Sequence, residues 1–239
     1  MGKARKVLIT GANGGIGKCL VRSFCHEGYQ VIATDIAEEY QSEENIIYIQ
    51  ADLSDEVSVH NLFANIRSGC GSLDVLINNG AISNYCKPLS QLTVDEFDSV
   101  IRVNLRGVFL CVREYLQLHE EHKTGAIINI SSTRSFMNES GWDAYGASKG
   151  GVNAFTVSSA VSLAGTGITV NAIAPGWIEC GDYDKLSDAD HQQHPSGRVG
   201  KPEDISRLAL FLADERNNFI NGEIIKVDGG MTKKMIYIE

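Results

Sequence analysis

A glycine-rich turn between a short apolar run and an amphipathic segment constrains the fold of this chain more than any other feature. Val7–Thr10 is typical of a buried parallel strand, and Gly11-Ala-Asn-Gly14-Gly15-Ile16-Gly17 follows it directly. A helical pattern begins there and ends near Gly28. Glycines let a ligand approach the backbone closely, and a helix N-terminus offers N–H groups and the positive end of a dipole. The turn therefore predicts a strand–turn–helix unit that holds a pyrophosphate.

Six further apolar runs have the length and composition of strands, and helical patterns separate most of them. They lie at Gln30–Thr34, Asn45–Gln50, Leu73–Asn78, Ala126–Ile130, Ile168–Ala174 and Glu223–Val227. Strands that alternate with helices predict a parallel sheet covered by helices on both faces. No Pro- or Ser-rich linker and no internal repeat divides the 239 residues, so we predict one α/β domain over 1–239.

Several predicted strands end in polar residues, at the edge where ligands gather in open α/β sheets. Asp35 follows the second strand, where a carboxylate accepts hydrogen bonds from the ribose of an adenine dinucleotide and repels a 2′-phosphate. No arginine or lysine follows it immediately, which favours NAD over NADP. Asp52-Leu53 follows the third strand, and Asn78-Asn79-Gly80-Ala81 closes the fourth. Its two amides fit either a scaffold or a ligand site.

Tyr145 and Lys149 are four residues apart in the segment from Asp143 to Gly151, which places them one turn apart on one helix face. A nearby ammonium favours phenolate, so we expect the pKa of the tyrosine to fall from its ordinary ~10 towards neutrality. A surface helix can carry the same pair without any function. The glycine turn, and Ser132 at the end of the fifth strand, favour a catalytic pair instead.

Two other segments stand out. Thr93 and Glu96 form a capping box for one long helix in which Asn104 is unfavourable unless its side chain is engaged. The polar stretch 177–195 has no clear periodicity, and we interpret it as a mobile lid. Its two histidines, His191 and His194, are interpreted as solvated loop residues, and no metal site is predicted.

The composition restricts the partners. A net charge of -9 and a pI near 5.2 argue against nucleic acid or an anionic membrane as the main partner. No apolar signal region precedes the first strand and no apolar stretch approaches ~18 residues, so we expect a cytoplasmic protein. The six cysteines show no C-x-x-C pair, and most are expected to be reduced core residues.

Taken together, the motifs match a known family across nearly the whole chain. They are Thr10-Gly11-x-x-x-Gly15-x-Gly17, Asp52, Asn78-Asn79, Asn104, Ser132, Tyr145-x-x-x-Lys149, Pro175-Gly176 and Val227-Asp228-Gly229-Gly230. In this order they resemble the short-chain dehydrogenases/reductases of the small, single-domain type. The resemblance implies a Rossmann-type, doubly wound, mostly parallel seven-stranded sheet with NAD across its C-terminal edge.

The same resemblance implies roles for individual residues. Tyr145 would be the general acid/base, Lys149 would lower its pKa and bind the nicotinamide ribose, and Ser132 would hold the substrate oxygen. Asn104 would anchor a water that relays protons to Lys149. The implied reaction is hydride transfer between the nicotinamide and the carbinol carbon of a small alcohol or ketone. The implied cofactor-binding residues are Gly11, Asn13, Gly14, Gly15, Ile16, Gly17, Asp35, Asp52, Leu53, Asn78, Asn79, Gly80, Tyr145, Lys149, Pro175, Gly176 and Ile178.

The resemblance also implies a homotetramer or homodimer, because the helices near Phe97–Leu118 and Tyr145–Leu163 commonly pair between subunits in this family. The apolar tail residues Met235, Ile236 and Ile238 are candidates for another interface. Two residues depart from the family pattern. Gly80-Ala81 stands where Ala-Gly is usual, and Cys180 stands where a threonine usually binds the nicotinamide carboxamide.

Three alternatives remain at the level of sequence. One is reduction of a 3-oxoacyl group on a carrier protein, although enzymes that catalyse this reaction often prefer NADPH and need a basic docking patch. A catalytically idle dinucleotide-binding sensor or scaffold is another, against which the complete set of catalytic residues counts. Nucleotide-sugar epimerases share Tyr-x-x-x-Lys, but little chain follows Tyr145 for their added domain. The lid and Ile82–Leu92 should line the substrate pocket, but their side chains do not identify the substrate.

Overall fold

The computed structural model describes residues 4–38, 46–119 and 124–235. Seven parallel strands form one sheet in the order β3-β2-β1-β4-β5-β6-β7. The strands are β1 Lys6–Thr10, β2 Gln30–Thr34, β3 Ile46–Tyr48, β4 Val75–Asn78, β5 Gly125–Ile130, β6 Ile168–Pro175 and β7 Ile224–Val227. The predicted doubly wound α/β fold is confirmed, and every described strand pair is parallel. The predicted start of the third strand, Asn45, lies outside the described residues.

Helices cover both faces of the sheet. They are α1 Gly15–His26, α2 Glu56–Gly69, α3 Val94–Ile101, α4 Gly107–Leu118, α5 Asp143–Ser162, α6 Asp188–Gln192 and α7 Pro202–Ala213. Alternate residues of β1 face opposite layers: Leu8 packs with α2, α4 and α5, whereas Val7 and Ile9 pack with α1 and α7. All three side chains are fully buried, which is why β1 is a continuous apolar run.

The strand order reverses between β1 and β4. In parallel sheets, loops diverge at such a point and leave a crevice beyond the carboxyl ends of the strands. Here β1 leads into the glycine turn and β4 leads into Asn79-Gly80-Ala81, so the two loops lie side by side. Gly11 has a left-handed φ of 63°, and a Cβ there would lie 2.6 Å from the Gly80 Cα. This close approach requires glycine at position 11.

The predicted long helix after Thr93 is present and contains a π-helical turn. Its capping box of Thr93 and Glu96 is present, but α3 ends at Ile101 and a π-helical turn, Arg102–Arg106, precedes α4. A π turn accommodates one extra residue and is often found at functional sites. The turn contains Asn104, whose fully buried side chain bonds to distant segments. The sequence therefore predicted the long helix and the engaged side chain of Asn104, but not the π turn that contains it.

Residues 177–195 contain more structure than the sequence indicates. Ile178 pairs with Gly200, and α6 begins with a capping box of Ser187 and Asp190. The interpretation of solvated histidines is wrong for His194, which is 3% exposed and packs against Trp177 with ring centroids 6.2 Å apart.

The expectation that most cysteines lie in the core is also wrong. Only Cys19 and Cys111 are buried, whereas Cys86 and Cys180 are exposed. Within the three described ranges, no group of three or more His, Cys, Asp or Glu side chains is arranged to hold a metal ion. No helix in the described part of the chain combines the length and apolar character needed to span a bilayer.

Candidate active site

A cleft of about 540 Å³ opens at the carboxyl ends of the strands, around the glycine turn. It brings together eleven of the predicted cofactor residues, two residues of the segment expected to line the substrate pocket, and three that the sequence did not single out. The predicted cofactor residues are Gly11, Asn13, Gly14, Gly15, Ile16, Gly17, Asp35, Asp52, Leu53, Asn79 and Gly80. Ile82 and Ser83 come from the expected pocket segment, Ile36, Ala51 and Val103 were not singled out, and Ala81 and Cys180 complete the wall.

Asn79 holds the floor of this cleft. Its Nδ2 donates to the carbonyl oxygens of Thr10 and Gly11, both at 3.0 Å, and its backbone N–H donates to the Thr10 hydroxyl. Gly80 fits the same corner, because a Cβ there would lie 2.5 Å from Leu53 Cδ1. The Asn79 amide thus braces the glycine turn, and a side chain at position 80 would have to displace the end of Leu53.

Asp35 lies at the end of the cleft formed by β2. One carboxylate oxygen accepts the Asn13 N–H at 2.9 Å, and the other accepts the Ala37 N–H at 3.4 Å. These two bonds fix the carboxylate at the cleft wall. A negative charge at this place attracts hydroxyl donors and opposes a phosphate.

The N-terminus of α1 borders the cleft. Gly14 is the N-cap and no side chain caps the helix, so its first turn favours an anionic ligand. The Ile16 N–H donates to the sulfur of Cys180, and the Cys180 side chain packs directly on Gly15. Burial and the charge of Glu179 raise the pKa of this thiol. A tight glycine turn, an uncapped helix start and the fixed Asp35 carboxylate together fit a nicotinamide dinucleotide.

Ser132, Tyr145 and Lys149 meet at the end of β5, beside the start of α5. Ser132 and Lys149 are buried, and the hydroxyl groups of Ser132 and Tyr145 are hydrogen-bonded. The Ser132 Oγ also accepts the backbone N–H of Arg134 at 3.1 Å. Because that lone pair is occupied by an N–H donor, the serine proton is directed away from Arg134, towards the phenol or a substrate oxygen.

The electrostatics of the pair differ from the sequence expectation. Burial raises the pKa of Tyr145, while the Ser132 hydrogen bond and the charge of Arg134 act in the opposite direction. Burial lowers the pKa of Lys149 to about 8. Lys149 Nζ lies 5.6 Å from the centre of the Tyr145 ring and donates to the Ile130 carbonyl oxygen at 2.7 Å. The expected fall in the pKa of Tyr145 through a neighbouring ammonium is therefore not found in this structure.

Asn104 is engaged with protein atoms. Its Oδ1 accepts the Ile82 N–H at 2.8 Å, and its Nδ2 donates to the Ile82 carbonyl at 2.9 Å and to the Ser148 Oγ at 3.1 Å. Ser148 in turn donates to the Tyr145 carbonyl at 2.7 Å. Asn104 thereby joins the π-helical turn to the loop after β4 and to the turn of α5 that carries Lys149.

Several predicted cofactor residues lie outside the cleft wall. Asn78 is buried and its Nδ2 donates to Asn129 Oδ1 at 2.8 Å, so its amide joins β4 to β5. Pro175 is the last residue of β6, Gly176 packs on Asp228, and Ile178 lines a separate cavity of about 200 Å³. Tyr145 and Lys149 lie beyond the cleft, at the end of β5.

Two contributions were missed at the level of sequence. The first is a chain of hydrogen bonds from Ser131 through Asn153 and Ser135 to the Ser132 carbonyl, which ties the end of β5 to α5. The second is Arg134, whose charge acts on Tyr145. An arginine two residues after Ser132, at a strand end, is the signal that could have identified it.

Known proteins resemble the chain over almost its full length. A family model described as Enoyl-(Acyl carrier protein) reductase matches residues 11–232. An uncharacterized oxidoreductase of Thermotoga maritima is 40% identical, with 99% of each chain covered. A 3-oxoacyl-(acyl-carrier-protein) reductase of Staphylococcus aureus is 36% identical, covering 97% of this chain and 99% of that protein. The solved structure of ElxO with NADP bound is 33% identical, with a TM-score of 0.89 over 97% of this chain and 100% of that one.

These matches extend from the glycine turn past the Tyr145–Lys149 helix to the residues after β7. They agree with the parallel seven-stranded sheet and with a cleft that fits a dinucleotide. The chain therefore belongs to the short-chain dehydrogenase/reductase family of oxidoreductases, whose fold binds a nicotinamide dinucleotide.

Proposed function

We propose that this chain interconverts a secondary alcohol and a ketone on a small molecule, with NAD(H) as the cofactor and Tyr145 as the general acid/base. The observation that carries the proposal is the hydrogen bond between the Ser132 and Tyr145 hydroxyls, beside buried Lys149 and at the same sheet edge as the dinucleotide cleft. A phenol in contact with a second hydroxyl can exchange a proton with a substrate oxygen bound between them.

The proposed mechanism assigns each residue one task. Ser132 donates its proton to the substrate oxygen and orients it, while Tyr145 gives a proton to that oxygen in reduction and takes it in oxidation. Lys149 binds the ribose side of the cofactor, and Asn104 holds the helix turns in register. The uncapped first turn of α1 binds the pyrophosphate, the close packing that Gly11 and Gly17 allow shapes the turn around it, and Asp35 binds the adenosine ribose. The bound dinucleotide supplies or accepts the hydride.

The choice of NAD(H) rests on Asp35. Its carboxylate is fixed by two backbone N–H groups in the cleft wall, so it cannot turn away from a 2′-phosphate without losing both bonds. The ElxO structure carries NADP, which shows that a 33% identical protein of this fold accepts the phosphorylated cofactor. Parallel measurements of kcat/KM with NAD(H) and NADP(H) test this choice.

A second candidate is reduction of a 3-oxoacyl group on an acyl-carrier protein. Its support is the 36% identity to the Staphylococcus aureus reductase of that name over nearly the full length of both proteins. The net charge of -9 counts against docking an acidic carrier protein. Turnover of a 3-oxoacyl carrier-protein substrate far above that of the same acyl group on a small thiol would favour this candidate.

We also propose a homo-oligomer. The outer faces of α4 and α5 expose four apolar side chains, Phe109, Leu116, Val157 and Val161. Exposed apolar faces on two adjacent long helices favour burial against a second copy. Of the apolar tail residues, Met235 is exposed, while Ile236 and Ile238 lie outside the described residues.

The experiment is a screen of secondary alcohols and ketones with NAD(H) and NADP(H), followed by Tyr145→Phe and Ser132→Ala on the best substrate. Tyr145→Phe should retain dinucleotide binding and lose ~10²–10⁴ in kcat, because positioned acid/base catalysis contributes that much. Ser132→Ala should lower kcat with little change in dinucleotide affinity. Tyr29→Phe, before β2 at the opposite edge of the sheet, is the matched control. Near wild-type turnover by Tyr145→Phe would refute the mechanism.

A further inference from the structure

Arg134 lies at the catalytic hydroxyls, and the proposed reaction gives it no task. Its backbone N–H binds the Ser132 Oγ, so the residue is fixed two positions beyond that serine. Its guanidinium carbon is 4.3 Å from the centre of the Trp142 ring, and that ring is 6.2 Å from the Tyr145 ring. The Trp142 ring therefore lies in contact with both the positive charge of Arg134 and the ring of Tyr145, the proposed acid/base.

The donors of this guanidinium are incompletely used. Nη2 donates to the Glu139 carboxylate at 2.7 Å. Nη1 is buried and has no acceptor among the described residues. A buried charged donor without a partner is costly, and a ligand, an ion or an ordered water is needed to complete its bonding.

Glu139 shows which chemistry the guanidinium accepts. It is a carboxylate, and its side chain is 73% exposed, whereas that of Arg134 is 27% exposed. Exposed ion pairs contribute little to stability, so Glu139 can leave Arg134 at small cost. Trp142 then keeps the guanidinium in place by a cation–π contact.

We propose that Arg134 binds a carboxylate of the substrate, which replaces Glu139 on Nη2 and engages Nη1 as the second donor. The substrate class is accordingly an oxo acid in reduction and the matching hydroxy acid in oxidation. This inference rests on the proposed alcohol–ketone chemistry at Tyr145 and adds the group that selects the substrate.

A single guanidinium matches a carboxylate better than a phosphate. Its planar fork presents two parallel N–H groups, which is the geometry of a bidentate carboxylate pair. Glu139 beside it disfavours a dianion, since one arginine cannot offset both the extra charge and the neighbouring carboxylate. The inference also separates the two candidate functions, because a carrier-bound thioester has no carboxylate at this point.

The test compares acids with their neutral methyl esters. Pyruvate, acetoacetate and levulinate, each with its ester, place the carboxylate at increasing distance from the ketone, and kcat/KM is measured for each. The quantity of interest is the acid-to-ester ratio within one protein, which cancels general losses of activity. Wild type should favour at least one acid by about tenfold or more, as expected from a hydrogen bond to a charged group.

Variants of Arg134 and Glu139 distinguish an effect of the arginine charge on substrate binding from a structural role of the side chain. Arg134→Gln should lower the acid-to-ester ratio at least about tenfold, and Arg134→Lys should retain part of it because the charge remains. Glu139→Gln should raise the ratio, because the internal competitor is neutralised. Arg216→Gln, which removes an exposed arginine paired with Asp214 far from this site, should leave the ratio unchanged. A merely structural Arg134 would lower acid and ester turnover together.

A binding measurement keeps the inference testable apart from turnover. Calorimetric titration of the preferred acid into dinucleotide-saturated Tyr145→Phe should give a measurable Kd, and adding Arg134→Gln should abolish it. If neutral ketones are reduced in a Tyr145-dependent way with no preference for acids, the carboxylate site is wrong and the proposed function stands. If acids bind through Arg134 but no ketone is reduced, the proposed function fails and the site stands. Acid binding that survives Arg134→Gln overturns the site in either case.

Discussion

The ammonium nitrogen of Lys149 donates to the carbonyl oxygen of Ile130 at 2.7 Å, at the end of β5. The same strand end delivers Ser132, so one backbone carbonyl sets the position of the lysine relative to the serine. Burial in this place lowers the pKa of Lys149 to about 8, and no carboxylate is among the causes of that shift. Lys149 is thus held by the strand and not by the phenol of Tyr145.

This burial predicts a pH dependence of folding. The pKa of Lys149 is lower in the folded protein than its ordinary ~10.4, so the unfolded chain binds more protons between these values. The free energy of unfolding contributed by Lys149 should therefore rise as pH increases from about 8 to about 10.4, by up to about 3 kcal/mol. The contribution is lost as pH falls through the folded pKa.

The measurement is urea unfolding of wild type and Lys149→Met across that pH range. Other titrating groups are shared, so the difference between the two proteins isolates Lys149. A constant difference over the whole range would show that Lys149 does not titrate in the predicted window.

Cofactor preference should follow the Asp35 charge. Wild type should show a higher kcat/KM with NAD(H) than with NADP(H). Asp35→Asn should raise the ratio of kcat/KM for NADP(H) to kcat/KM for NAD(H) by about tenfold or more, because repulsion between a carboxylate and a nearby phosphate amounts to several kcal/mol. Asn retains an acceptor for the Asn13 N–H, so this change tests charge, whereas Asp35→Ala also removes the bond. A wild-type preference for NADP(H), or no gain in the ratio, contradicts the assignment.

Asn104 should be costly to replace. Asn104→Ala removes three hydrogen bonds of a fully buried amide and leaves the backbone groups of half-buried Ile82 without these partners, so we expect a loss of about 2–4 kcal/mol in the free energy of unfolding. Asn65→Ala on the exposed face of α2 is the matched control and should change stability by about 0.5 kcal/mol or less. Equal effects of the two changes on denaturant midpoints would argue against the bridging role.

The outer faces of α4 and α5 should control assembly. Sedimentation of the wild type at micromolar concentration should show an oligomer, and Val161→Glu should dissociate it, because Val161 is 72% exposed and a carboxylate there opposes burial. Val161→Thr keeps the shape without the charge and should remain assembled. A monomeric wild type is the result that refutes this prediction.

Sequence alone located the sheet well, for a physical reason. Strands buried on both faces are continuous apolar runs, so the predicted Val7–Thr10 differs from the observed Lys6–Thr10 by one residue. The glycine turn and the helix after it are also local patterns, and they coincide with the observed cleft.

What sequence could not provide depends on contacts between distant segments. The π-helical turn coincides with bonds from Asn104 to Ile82 and Ser148, which belong to another loop and another helix. The position of Lys149 depends on its hydrogen bond to the Ile130 carbonyl, and the side-chain amide of Asn78 donates to Asn129. Periodicity within one segment contains no information about such partners, so the roles of these polar side chains emerge only in three dimensions.

The interior position of β1 has a consequence for the order in which the chain can fold. Each neighbouring pair in the sheet joins consecutive strands except β1 and β4, where Val7 pairs with Val75 across β2, β3 and α2. Closing so long a loop is slow compared with pairing successive strands. During synthesis, the edge of β1 therefore stays open until Asn78 has left the ribosome. A nascent chain shorter than this carries the glycine turn but has no second wall against which a nucleotide could bind.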